Sequence, residues 1–211
     1  MSGRDLRGAE LANATLVRSN LENADLRDAD LYGADLSFAA LRHAQLGNAR
    51  IEAAILTGAD LLGADLSGAR LDRARANRAQ LSQSSLAGTS LLRASLYDAR
   101  LVEAILERAD LRQANLEHTD LRRANLRGSD LSGARLISAK LEGADLQGAV
   151  LVKANLAGAS LMDADLRDAD LSGADLSEAD IHGADLSGAS LGNAIWTDRR
   201  RCRPGSVGEC E

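Results

Sequence analysis

Three histidines are the side chains of this chain best suited to proton transfer: His43, His118 and His182. They are separated by 75 and 64 positions. A general base needs a nucleophile and an orienting acid within hydrogen-bond reach, and no His–Ser–Asp or His–Cys grouping can be drawn around any of the three. No His/Cys cluster has metal-ligand spacing. No glycine-rich phosphate loop of a known form occurs. The residues therefore point away from an enzyme, with no catalytic residue, no metal and no cofactor expected.

Charge is the more informative chemistry. The 211 residues carry a formal charge of −6. A generally basic nucleic-acid binder is excluded, so no direct nucleic-acid contact is expected. Residues 161–198 hold nine acidic groups against one basic, Arg167. Asp165, Asp170, Asp175 and Asp185 are among them, and they are candidates for docking a basic partner. The tail then adds Arg199, Arg200, Arg201 and Arg203. The plainer alternative is a solvated face onto which this Arg-rich tail folds back. A second candidate is the arginine cluster Arg70, Arg73, Arg75 and Arg78. Its two readings are a notch for an anion or a partner, and a drifted stretch with solvated arginines.

These side chains must be positioned by something unusual, because the composition is unusual. Aromatic residues make up 2% of the chain and there is one proline, yet the apolar fraction is normal at 45%. Leu and Ala supply nearly all of it. Using one or two shapes repeatedly is the mark of a repeat rather than of a mixed core. From position 6 to position 191, every fifth residue gives 38 sites, and 35 of them are Leu. The exceptions are Ile51, Ala76 and Ile181. Two residues before each centre from Leu11 onward lies a small residue, Ala except at Ser19, Ser84, Thr89, Thr119 and Ser129. Asp or Asn often stands between, so the unit is A-(D/N)-L-x-x.

A period of five suits neither regular element. On a helix it advances about 500°, which would spiral the leucines round every face. On one continuous strand it would send alternate leucines to opposite faces. A three-residue strand followed by a two-residue corner does work. Ala and Leu then point inward, and the Asp or Asn between them points out. Of 19 glycines, 15 fall in the register just before the small residue. Gly, Asn and Asp tolerate a positive φ best, which fits a corner. Single units cannot bury their leucines, so the coils must stack.

Uninterrupted tandem A-(D/N)-L-x-x resembles the pentapeptide-repeat family over roughly residues 4–196. The resemblance implies an all-β fold, a right-handed quadrilateral β-helix with four pentapeptides per coil. At that rate 38 centres make about 9.5 coils and, at about 4.8 Å each, a rod on the order of 45 Å long. Residues 197–211 would form a short non-helical C-terminal cap, because Pro204, Gly205 and Gly208 make a poor helix. The resemblance implies a binding protein without catalysis. Some members mimic duplex DNA, bind DNA gyrase and protect it from quinolones. This chain departs from them, since its repeat has no insertion and its centres are Leu where those members often use Phe. A duplex 45 Å long carries roughly 26 charges, so mimicry here would be local to the acidic end.

In that frame Arg70, Arg73, Arg75 and Arg78 lie round one corner of one coil, where Ala76 leaves the interior short of volume. Tyr32, Phe38, Leu62, Leu92, Tyr97, Val102 and Ile137 point outward without forming one continuous stripe. Leu92, Tyr97, Val102 and Ile105 ring a single coil as a candidate contact patch. Trp196 falls in the leucine register and would plug the end of the core. Cys202 and Cys210 flank Pro204-Gly205 and could close a small loop by a disulfide. A cytosolic setting would keep them as thiols. A cytoplasmic location is the expectation, since residues 1–10 show no apolar run and no stretch approaches a membrane span. The expected partner is a protein, gyrase among the possibilities, and the rod is expected as a monomer or an end-to-end homodimer.

Overall fold

The structure is a computed structural model that describes residues 2–211. Parallel pairing links each residue of the Asp/Asn register to the residue 20 positions later, from Asp5↔Asp25 through to Asp175↔Ile195. Twenty residues are four pentapeptides, so each coil has four sides. Side 1 carries residues 5, 25 and onward to 185, side 2 carries 10 to 190, side 3 carries 15 to 195, and side 4 carries 20 to 180. The sides are shorter than the three-residue strands that the alternation suggests. Pairing is confined to the central residue, and its two neighbours turn inward instead.

One repeat in mid-rod shows how every backbone donor is satisfied. Asn125 N–H donates to Ala104 O at 2.9 Å in the coil before, and Leu126 N–H donates to Asp145 O at 2.7 Å in the coil after. Gly128 N–H reaches Gln147 O at 3.0 Å, and Ser129 N–H closes the corner on Leu126 O at 3.1 Å. That leaves Arg127 N–H, which no neighbouring coil can reach. The Asn125 side chain accepts it at 3.1 Å. Buried or constrained backbone donors must find partners, and this one finds it two residues back. All 19 Asp and Asn residues of this register accept the N–H of the residue two positions on. The acidic repeat is thus a folding device first.

Every corner from residue 3 to residue 193 holds its second residue at positive φ, whether that residue is Gly or not. The i→i+3 hydrogen bond with positive φ at the third position is the geometry of a type II turn. No Val, Ile or Thr occupies this position, as the crowding of a β-branched side chain there would require.

The interior is a single column of Leu and Ala. Leu126, in mid-column, is fully buried. Five hydroxyls stand in the small-residue register; the buried Ser19 Oγ has no hydrogen-bond partner among the described residues, and the other four find carbonyls. Ser84 and Ser129 donate to Leu81 O and Leu126 O within their own corners, at 2.6 and 2.7 Å. Thr89 and Thr119 donate to Leu66 O and Leu96 O of the coil before, at 2.9 and 3.1 Å.

The tail folds back over the last coil, antiparallel to it, pairing Ile195 with Arg201 and Ser190 with Val207. Cys202 and Cys210 are joined by a disulfide, with Cα atoms 4.8 Å apart. Both are buried and belong to the core cluster, whereas Val207 faces solvent. Trp196 packs half-buried against the core, so closure of this end is shared between its ring and the disulfide. Among the described residues, no helix is long and apolar enough to cross a membrane.

Candidate partner-binding surface

The fold sorts outward side chains onto four sides and four corners, and this sorting decides which candidates meet. His43 and His182 sit on the corner after side 4, and His118 on the corner after side 3, all exposed. His182 Nδ1 lies 2.6 Å from Asp180 Oδ1, and His118 meets Tyr97 edge-on at 5.5 Å. His182 and His118 are thus engaged locally, and no two of the three histidines share a coil. Among the described residues, no group of three His, Cys, Asp or Glu side chains is placed to hold a metal ion.

The acidic end is spread round the rod. Asp165 and Asp185 stand on side 1, Asp170 on side 2 and Asp175 on side 3. All four cap a backbone N–H two residues on, at 2.9 to 3.1 Å. Arg167 grips Asp165 with Nε at 2.8 Å and holds its carboxyl below the usual carboxylate range. Ser187 does the same for Asp185. The tail arginines go elsewhere: Arg199 pairs with Glu178, and Arg200 with Asp198 at 3.4 Å. None of the four candidate aspartates pairs with the tail.

The arginine cluster splits. Arg70 pairs with Glu52 at 2.9 Å and Arg78 with Asp98 at 3.4 Å. Among the described residues Arg73 and Arg75 form no ion pair. Ala76 is buried, and its N–H meets Ser95 O at 2.7 Å, the same distance as at Leu81 in the next repeat. The wall therefore runs past the missing leucine without pinching.

The apolar residues are where register alone misleads. Of the candidate ring, Leu92, Tyr97 and Val102 are half-buried, while Ile105 is exposed at 42%. Instead, Val17, Tyr32 and Phe38 are exposed at 42%, 42% and 57% and flank side 3 in its first two coils. Ile55 lies on the same side one coil on. Arg18 lies 5.8 Å from the centre of the Phe38 ring, and Arg50 lies 5.2 Å from the centre of the Tyr32 ring. A cleft of about 230 Å³ opens beside Tyr32, lined also by Leu92, Arg73, Glu52, Asp72 and Ala53. Folding the sequence at a period of 20 would have placed these residues together.

A rod of stacked four-sided coils, each side one A-(D/N)-L-x-x unit, defines the class: a pentapeptide-repeat solenoid. The chain belongs to the pentapeptide-repeat family, whose model matches residues 5–37, 34–73, 77–113, 104–143, 129–168 and 154–193. Among solved structures, it is similar to HetL of the cyanobacterium Nostoc sp. strain PCC 7120, a pentapeptide-repeat protein involved in regulating heterocyst differentiation. The two share 37% identity over 94% of this chain and 92% of that one, with a TM-score of 0.50. Alr5209 of Nostoc, another pentapeptide-repeat protein, is 45% identical over 38% of this chain and 66% of its own, with a TM-score of 0.38. QnrB1, a plasmid-mediated fluoroquinolone resistance protein, is 21% identical over 90% of this chain and 88% of its own, with a TM-score of 0.43. No curated protein matches the chain.

Proposed function

We propose that this chain is a non-enzymatic scaffold, a right-handed rod that binds a protein partner through its outer surface. The observation that supports it most is the exposed group on side 3: Val17, Tyr32 and Phe38, held beside Arg18 and Arg50. Leu and Ala fill the interior, and the Asp/Asn ladder is spent on backbone N–H groups. The outer wall is what remains for recognition, and its coil-to-coil bonding makes it rigid. Rigid surfaces lose little entropy on binding. The test is affinity capture from cell extract on the immobilised rod, with a second pentapeptide rod of unrelated surface as the blank. Retention of no protein beyond the blank would refute the scaffold reading.

A second reading is favoured by one feature of the acidic end. Asp170 and Asp175 use one oxygen each on the backbone and form no ion pair among the described residues. A gyrase-binding protein acting through this end would change supercoiling, or rescue it from ciprofloxacin. That effect would vanish with Asp170→Asn and Asp175→Asn together. Asn keeps the backbone acceptor, so these variants change charge without removing the turn. An unchanged supercoiling assay across a micromolar titration excludes this reading.

A further inference from the structure

We propose that the first half of side 3 is a docking face for an acidic polypeptide segment that also carries apolar side chains. The proposal rests on the scaffold reading and adds the chemistry of the partner. Three observations carry it.

The first is Phe38. It is the one large apolar residue in the positive-φ register, with φ 57°. The same backbone holds 23 other non-glycine residues, all polar or charged except Ala53, so an exposed apolar ring is the exception in this register. Nothing in the fold requires the ring, because 57% of the residue is exposed and Gly serves at 15 equivalent corners. The ring is nevertheless held in place. It leans over Gly58, where a Cβ would come within 2.6 Å of it, and Arg18 lies on it from the preceding coil. An exposed aromatic fixed in one orientation is a low-entropy anchor.

The second observation is an imbalance in how charges are spent. The acids of this region are turned into the wall. Asp35 accepts from Ser37 N–H and from its hydroxyl at 3.0 and 2.5 Å. Asp72 accepts from Leu92 N–H at 3.1 Å and from the Ser90 hydroxyl. Glu52 is largely buried and paired with Arg70. Among the described residues, the cations Arg18, Arg73 and Arg75 have no ion pair and stand exposed. The outward field of this half-side is therefore positive although the whole chain is negative.

The third observation is the cleft beside Tyr32. Tyr32 and Leu92 wall it, and Arg73 lines it as well. At about 230 Å³ it takes one apolar side chain, and Arg73 is placed to meet a carboxylate on the same segment. Arginines beside aromatics also suit single-stranded nucleic acid. Here an arginine already lies over each ring, Arg18 over Phe38 and Arg50 over Tyr32. Arginine over each ring competes with a stacking base there, which favours the polypeptide.

The test is fluorescence anisotropy on the full chain with a labelled peptide of alternating Glu and Leu. A Lys-Leu peptide and an oligothymidylate of similar length serve as the other probes. The expected result is saturable binding of the Glu-Leu peptide alone, weakened by salt and by about tenfold in Arg18→Ala/Arg73→Ala/Arg75→Ala. Phe38→Gly should weaken it equally while the melting temperature holds or rises, because Gly relieves the left-handed backbone. That pairing separates lost contact from lost fold. Asp170→Asn/Asp175→Asn should leave binding unchanged. Equal binding of the Lys-Leu peptide, indifference to the Arg and Phe variants, or tighter binding of the oligothymidylate would each overturn the proposal. A rod that still captures its cellular partner as Phe38→Gly keeps the scaffold reading and loses this one. A wild-type rod that captures nothing loses the reading itself.

Discussion

Ala76→Leu is the substitution that most directly tests how the interior is built. Ala76 is the only one of the 38 centres that is neither Leu nor Ile. In the same column it lies between Leu56 and Leu96, both buried. Its ladder bond to Ser95 O is 2.7 Å, and the corner bond from Ala79 N–H to Ala76 O is 3.1 Å. These match the values at Leu81 and Leu21, so the backbone has not moved inward to fill the missing volume. Restoring three buried carbons at about 0.8 kcal/mol each, less about 0.5–1 kcal/mol of leucine rotamer entropy, yields a gain of about 1.5 kcal/mol. Leu126→Ala is the mirror experiment, and it should cost about 3 kcal/mol because transfer and cavity costs add. Both are read from urea unfolding at constant m-value, as shifts of the midpoint in opposite directions. A lowered midpoint for Ala76→Leu would refute the reasoning. It would mean that neighbouring leucines already occupy the space and that a new side chain overpacks it.

Two further outcomes follow from the ends and the surface. Replacing both Cys202 and Cys210 by Ser opens an eight-residue separation, and a loop of that size should cost the cap roughly 2–3 kcal/mol. The loss should appear as faster amide exchange at Leu191, Trp196 and Cys202 with mid-rod amides unchanged. In acid, Asp5, Asp25, Asp110, Asp120 and Asp165 are all held below the ordinary aspartate pKa by their arginines two residues on, Asp5 to about 2. Their folded pKa values lie below the unfolded ones, so the stability they contribute is complete above about pH 4 and is lost as pH falls through the folded values. The melting temperature should therefore be flat in this respect from pH 5 to 8 and drop between about pH 4 and 2. A drop that begins well above pH 5 would refute this account.

Much of the fold is legible in the chain. A five-residue period with Leu at 35 of 38 centres admits few structures, since neither helix nor extended strand keeps such leucines on one face. The inward Ala and Leu and the glycine-rich corners follow from that period and from steric exclusion in φ/ψ space. The role of Asp and Asn is less legible. Register shows only that Asp130 or Asn125 points outward. That each caps the N–H two residues on appears only when the coil-to-coil bonds are counted and one donor per repeat is left over.

The candidate surfaces divide along the same line. The charge count locates an acidic stretch in the chain at residues 161–198. With four repeats per coil, their five-residue spacing sends Asp165, Asp170 and Asp175 to three different sides, and the pairing at 20-residue intervals agrees. Sequence distance suggested that Arg70, Arg73, Arg75 and Arg78 act as one cluster. In space Glu52 and Asp98 neutralise two of them and leave Arg73 and Arg75 free. Val17, Tyr32, Phe38 and Ile55 look scattered along the chain and meet on one side of the rod. The sequence by itself determined the column of leucines, because hydrophobic burial acts on every fifth residue alike. Only the tertiary structure decided which outward residues are neighbours, because neighbours across coils are 20 residues apart and their hydrogen bonds and ion pairs exist only after the coils have stacked.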